Sequence, residues 1–125
     1  NEAVDPSSEL AFMAAQIQDR TMMRVFWFVV ANAGNPGLKI DDISNEIGMS
    51  RSVLYNKVKA TTGMTPVDFV RHIRIKKACE MLRNTDNTLT SISFAVGFTD
   101  PKYFSKVFKK ETGIVPTEYR NRTQG

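Results

Sequence analysis

Apolar positions recur at helical spacing along nearly the whole chain, and Gly and Pro interrupt them at regular intervals. Residues 1–9 (NEAVDPSSE) are polar and acidic and read as a linker or frayed end. A helical segment then begins at Leu10 or at Asp19 and runs to Ala33. The run Asn32-Ala33-Gly34-Asn35-Pro36-Gly37 stops it, because Gly and Pro cannot continue a helix cheaply. Ile40, Ile43 and Ile47 mark a short helix near 41–47, closed by Gly48. Ser50 caps a helix over 51–62, which Gly63 ends. Thr65-Pro66 is a cap followed by a first-turn proline, and the helix it opens runs to about Arg83. After the turn cluster 84–88 the pattern returns: a short helix at 90–96, a stop at Gly97, and a start at Asp100-Pro101. That helix runs to Thr112 and Gly113, and Pro116 opens a last short helix to about Arg122. No stretch alternates as a strand would, so the predicted fold is all-α. The predicted core is Ile40, Ile43, Ile47, Leu54, Val58, Phe69, Ile73, Leu82, Ile92, Val96, Phe98, Phe104 and Phe108.

The return of the pattern is an internal repeat. ISNEIGMS (43–50) aligns with ISFAVGFT (92–99), matching Ile43, Ser44 and Gly48 to Ile92, Ser93 and Gly97. VKATTGMTPVDF (58–69) aligns with FKKETGIVPTEY (108–119), matching Lys59, Thr62, Gly63 and Pro66 to Lys109, Thr112, Gly113 and Pro116. A single inserted residue near Asp100 joins the two registers. A short helix, a glycine turn and a second helix is the sequence form of helix-turn-helix. Two such units with matched stops and basic second helices predict two helix-turn-helix subdomains.

Charge sharpens this picture. The net charge is +4 with a pI of about 9.4. Residues 1–50 carry three basic against seven acidic side chains, residues 51–83 eight against two, and residues 101–125 six against two. Basic charge concentrated in two stretches suits a polyanion-binding face, although solvated helix faces would look alike on charge alone. The single cysteine, Cys79, permits no intrachain disulfide and reads as core filler. His72 reads as a surface residue with no partners for a metal site or triad. No signal peptide is visible. The longest apolar run, 25–31, is far short of the about 20 residues that a membrane span needs.

The stretch ISFAVGFTDPKYFSKVFKKETGIVPTEYR (92–120) resembles the signature of the AraC/XylS family of bacterial transcription regulators. IDDISNEIGMSRSVLYNKVKATTGMTPVDFVRHIRIKKACEML (40–82) is similar to that family's first helix-turn-helix and linker helix. The resemblance spans roughly residues 20–122. GMSRSVLYNKVKATTGMTP (48–66) is most similar to the DNA-binding ends of hybrid two-component sensors. The resemblance implies about seven helices in two homeodomain-like three-helix units. The corresponding organisation is an extension at 1–18, a first subdomain at 19–65, a linker helix at 66–83 and a second subdomain at 84–125. It also implies that the second helix of each unit enters a major groove, the two readers lying about one turn, ~34 Å, apart on one face of double-stranded DNA.

In 51–62, Leu54 and Val58 form an inward stripe, leaving Arg51, Ser52, Tyr55, Asn56 and Lys59 on other faces. Matching to the family pattern places Ser52, Tyr55 and Asn56 at base-reading positions, Arg51 at base or phosphate, and Lys59 at phosphate. In the second reader, Pro101, Lys102, Tyr103 and Lys106 match groove-facing positions, with Ser105 and Lys109 also turned outward. Tyr103 has the alternative of covering the core. This lysine-rich reader is suited to affinity more than discrimination. Arg74, Lys76 and Lys77 on the linker helix are either phosphate contacts or merely solvated.

The first helix departs from the family pattern. MMRVFWFVVA (22–31) is apolar on nearly every face, with Met22, Phe26 and Val29 suited to the core. The remaining side either belongs to a fuller core, is covered by residues 10–18, or forms an interface. An interface would make Met23, Trp27 and Phe28 a candidate homodimer contact. Further expected partners are RNA polymerase, if the protein activates, and an upstream sensor or effector domain, since the chain opens on Asn1 as an excised part would. The expected setting is cytoplasmic and nucleoid-associated, with membrane anchoring of the full-length protein if it is a hybrid sensor. No cofactor is expected. An enzyme is the weaker reading, because no ligand cluster, phosphate-cradling glycine loop or nucleophile–base set has supporting spacing. A basic protein-interaction domain is the other alternative, but it leaves the repeated reader helices unexplained.

Overall fold

The computed structural model describes residues 8–124, and expectations that fall on 1–7 and 125 lie outside the described residues. Within them the chain forms eight α-helices and no strand. These are α1 (Glu9–Ala15), α2 (Arg20–Asn32), α3 (Ile40–Ile47), α4 (Arg51–Thr62), α5 (Pro66–Asn84), α6 (Leu89–Ala95), α7 (Pro101–Thr112) and α8 (Pro116–Gln124). The caps follow the sequence. Ser50, Thr65 and Thr88 side chains accept from the backbone N–H groups of Val53, Asp68 and Ser91. Gly48, Gly63 and Gly113 end α3, α4 and α7 at left-handed φ.

Eight helices agree with the expectation of about seven, and the additional one is α1, in the 1–18 extension where the pattern allows a helical start at Leu10. Ser8 caps it, and Leu10 is buried in the core while Met13, Ala14 and Ile17 pack against that core. It is separate from α2 because Asp19 turns its carboxylate to the Met22 N–H at 2.8 Å and starts a new helix. Of the predicted core, only Ile40 is not buried; it opens α3 and lies half-buried at the rim of a groove.

Two cores share α5. Met22, Phe26 and Val29 of α2 pack with Ile43, Leu54, Val58, Phe69 and Ile73. Ile75, Ala78, Cys79 and Leu82 pack with Ile92, Val96, Phe104 and Phe108. Ile73 and Ile75 sit on nearly opposite sides of one helix, so α5 hands its apolar stripe from one unit to the other. Burial pushes the Cys79 thiol up to about 11, as befits core filler.

The units meet where the end of α2 touches the α6–α7 turn. Arg74 donates from Nε to the Ala33 carbonyl at 3.0 Å and from Nη2 to that of Asn35 at 2.8 Å. Lys77 Nζ donates to the Val30 carbonyl at 3.0 Å. The bonds to Val30 and Ala33 satisfy carbonyls that the end of α2 leaves without helical partners, while Asn35, in the loop that follows, also accepts from the Leu38 N–H. Gly97 lies against the same atoms: at φ +96°, an added Cβ would stand 2.2 Å from the Ala33 oxygen and 2.7 Å from Arg74 Nε. At the end of α5 the device recurs. Gln124 Nε2 donates to the Leu82 and Thr85 carbonyls at 2.7 and 2.9 Å, beside Arg120.

A carboxylate ties α1 across α5 to α8. Glu9 accepts from Lys76 at 2.8 Å, from Arg83 at 3.0 Å and from the Tyr119 hydroxyl at 3.0 Å. Burial alone would raise the Glu9 pKa, but Lys76, Tyr119 and Arg83 together outweigh it and hold the carboxyl below its ordinary 4.5.

Two predictions follow the packing. Gly97→Ala should lower the unfolding free energy by about 3 kcal/mol or more, against about 1–2 kcal/mol for Gly113→Ala, where nothing lies within 4 Å of the new Cβ. Denaturant titration reads both. Glu9→Gln should cost about 1–2 kcal/mol at neutral pH. A carboxyl with a depressed native pKa stabilises above its unfolded value, so the difference between wild type and variant should close as pH falls from 4.5 through the lower native value. Urea unfolding at neutral and strongly acidic pH checks this.

Candidate nucleic-acid interface

Each unit presents one exposed helix face beyond a glycine turn. In the first, α3 ends at Gly48 (φ 79°) and Ser50 starts α4. Leu54 and Val58 anchor α4 in the core, so Arg51, Ser52, Tyr55, Asn56 and Lys59 are all exposed. Arg51 Nε lies 3.2 Å from Asp41 of α3, an exposed pair of little energetic weight that leaves the guanidinium open to a stronger anion. Lys57 points elsewhere, bonding Asp19 at 2.8 Å. That bond, with the Met22 N–H, holds the Asp19 carboxyl below its usual range.

In the second unit Gly97 makes the turn, and Asp100 accepts from the Lys102 N–H at 3.0 Å to start α7. Phe104, Val107 and Phe108 face the core. Lys102, Tyr103, Lys106 and Lys109 are exposed; Pro101 and Ser105 are half-buried at the flanks, less open than their assignment to the outer face suggests. Among the described residues Lys102, Lys106 and Lys109 form no ion pair, so three cations on one helix face are unmatched. The Tyr103 ring lies 6.0 Å from that of Phe98, at the edge of the core, and remains about half exposed.

Arg74, Lys76 and Lys77 of the linker helix are each engaged within the protein rather than merely solvated. Arg74 and Lys77 are spent on α2 carbonyls and Lys76 on Glu9, as described above. Burial lowers the Arg74 pKa from the ordinary guanidinium value. His72 Nδ1 lies 2.9 Å from Glu111 Oε1 of α7 and links the two helices. A basic residue overlooked in the sequence is Lys110, exposed on α7 beside Lys106. Among the described residues no group of three His, Cys, Asp or Glu side chains could hold a metal. No helix there is long and apolar enough to cross a membrane.

Two glycine-turned reader helices, mounted on a shared helix and faced with basic and amide side chains, define a double helix-turn-helix module. Residues 43–122 match the family described as a helix-turn-helix domain, and the chain belongs to it. It is of the AraC type: it superposes on a transcriptional regulator from Chromobacterium violaceum, described among AraC-type DNA-binding domain-containing proteins, with a TM-score of 0.78 and 26% identity over 82% of this chain and 91% of that one. It is also similar to histidine kinase P4 of Formosa agariphila (38% identity over 108 residues, covering 86% of this chain and 8% of that protein). The MmsAB operon regulatory protein of Pseudomonas aeruginosa is 32% identical over 87 residues, covering 70% of this chain and 28% of that protein. The chain therefore spans only a small part of these two relatives.

Proposed function

We propose that this chain binds double-stranded DNA sequence-specifically by seating α4 and α7 in successive major grooves on one face of the duplex. The observation that carries this reading is the pair of reader faces, built by the same turn and fixed to one helix. In this reading Ser52, Tyr55 and Asn56 contact bases, the amide of Asn56 being suited to the paired donor and acceptor of adenine. Arg51 and Lys59 secure the flanking backbone. Lys102 and Lys106 lead the second contact, with Pro101 and Tyr103 supplying shape, and Ser105 and Lys109 lie at its edges. The units act as a first subdomain over 19–65 and a second over 84–125, with 66–83 between them.

The likeness to part of a histidine kinase supports an upstream sensor domain in the full-length protein, with this chain as its output end at the nucleoid. RNA polymerase is the further partner if the protein activates. A homodimer contact through α2 rests on Trp27, which stands exposed edge-on against Phe26 at 4.9 Å; Met23 and Phe28 are half-buried and contribute less.

Selection from a pool of randomised duplexes, at several salt concentrations, tests the central reading. The expected result is a steep salt dependence and two enriched boxes about 10 bp apart. Asn56→Ala should degrade one box by about 1–3 kcal/mol, roughly five- to 150-fold, and Lys106→Ala should weaken only the other. Folded protein that binds no DNA at low salt overturns the reading. Separately, Trp27→Asp should shift sedimentation toward monomer at unchanged helicity; an identical profile removes the dimer contact.

A further inference from the structure

The surface between the two reader helices is a continuous concave track. The groove beside α4, lined by Ser52 and Tyr55, shares Ile40 and Val67 with a middle groove. The middle groove shares Arg71 and Tyr103 with the groove beside α7, where Lys106 and Lys110 lie. One turn of α5, from Val67 to Arg71, therefore forms the floor between the readers, on the side they both face. Arg71 alone among the α5 cations at 71, 74, 76 and 77 is not committed to a backbone carbonyl or to Glu9.

We propose that Arg71 grips the DNA phosphodiester backbone where the duplex passes between α4 and α7. This rests on the two-groove reading above. Between successive major grooves on one face of B-DNA lies a minor groove flanked by phosphates, which carry no base information but fix register. A duplex seated on both readers lays that segment over the Val67–Arg71 turn.

The guanidinium is held ready for it. Asp68, one turn earlier on α5, accepts from Arg71 Nη2 and the Tyr103 hydroxyl is a second neighbour of the guanidinium, so the five-donor fork has N–H groups to spare beyond both. The side chain keeps about a third of its surface exposed. An exposed i,i+3 pair of this kind is weak, so a phosphate competes with Asp68 without a large penalty. Lys39 on the opposite wall and Lys106 and Lys110 beyond Tyr103 make the track attractive to an anion. The remaining carboxylate there, Glu111, is already engaged by His72.

The test compares wild type with Arg71→Ala, Arg71→Lys and Asp68→Ala on the selected duplex over a range of salt. Loss of one phosphate contact should reduce the slope of log K against log salt by about 0.9 in Arg71→Ala. The enriched boxes should not change. Arg71→Lys should keep the slope, and Asp68→Ala should bind at least as tightly as wild type. A neutral methylphosphonate placed between the boxes should weaken wild type and leave Arg71→Ala unaffected. Retention of wild-type slope and methylphosphonate sensitivity in Arg71→Ala overturns the assignment while leaving the two-groove reading intact. Absence of DNA binding by wild type itself overturns both. Helicity and melting of each variant show that the comparison is between folded proteins.

Discussion

The close approach of Gly97 to the end of α2 is the constraint on which the placement of the two readers depends. Rigid readers are useful only at a fixed separation and angle, because successive major grooves offer a fixed pitch. Here the geometry is set by backbone against backbone. Gly97 has no Cβ, so the α6–α7 turn descends onto the Ala33 carbonyl, and Arg74 bonds that same carbonyl from α5. The glycine thus has two duties: it takes the positive φ the turn requires, and it clears the space through which one unit contacts the other.

The repeat is built around a shared helix rather than from two free-standing bundles. The first half of α5 closes the core over α2, α3 and α4, and its second half takes in the other unit the place α2 has in the first. Phe26 and Val29 on α2, with Ala33 at its C-cap, have the same spacing as Ile75, Ala78 and Leu82 on α5, and all six are buried. The capping chemistry repeats in the same way. Arg74 reaches the carbonyls ending α2, and Gln124 those ending α5. Thr62 and Thr112 likewise both return a hydroxyl to the carbonyl one turn back, Val58 and Phe108, each at 2.8 Å.

Much of this was legible in the sequence because it rests on local chemistry. Gly48, Gly97, Pro66 and Pro101 mark helix ends through backbone geometry that few other residues supply, and the stripes through Leu54 and Phe104 orient the readers by periodicity alone. What was not legible depends on reach. Arg74, Lys77 and Lys57 look alike as basic residues on helices, and sequence does not say whether a long side chain ends in water or on a carbonyl many residues away. The Arg74–Gln124 correspondence was hidden because the repeat preserves a donor rather than a residue type. A helical start at Leu10 was legible, but not that α1 is a separate helix docked on the rest, because its docking comes from Leu10 in the first core and Glu9 among Lys76, Arg83 and Tyr119.

The shared helix also bears on how the molecule comes apart. Neither core is complete without its own half of α5, and the two halves are successive turns of one hydrogen-bonded rod. Fraying that rod at its middle uncovers Ile73 and Ile75 together, exposing both cores. Local opening that spares one unit is confined to the outer helices, whereas any excursion through the centre is global. The readers are therefore coupled in their stability as well as in their spacing: a chain that has lost one of them through the middle of α5 has lost the support of the other.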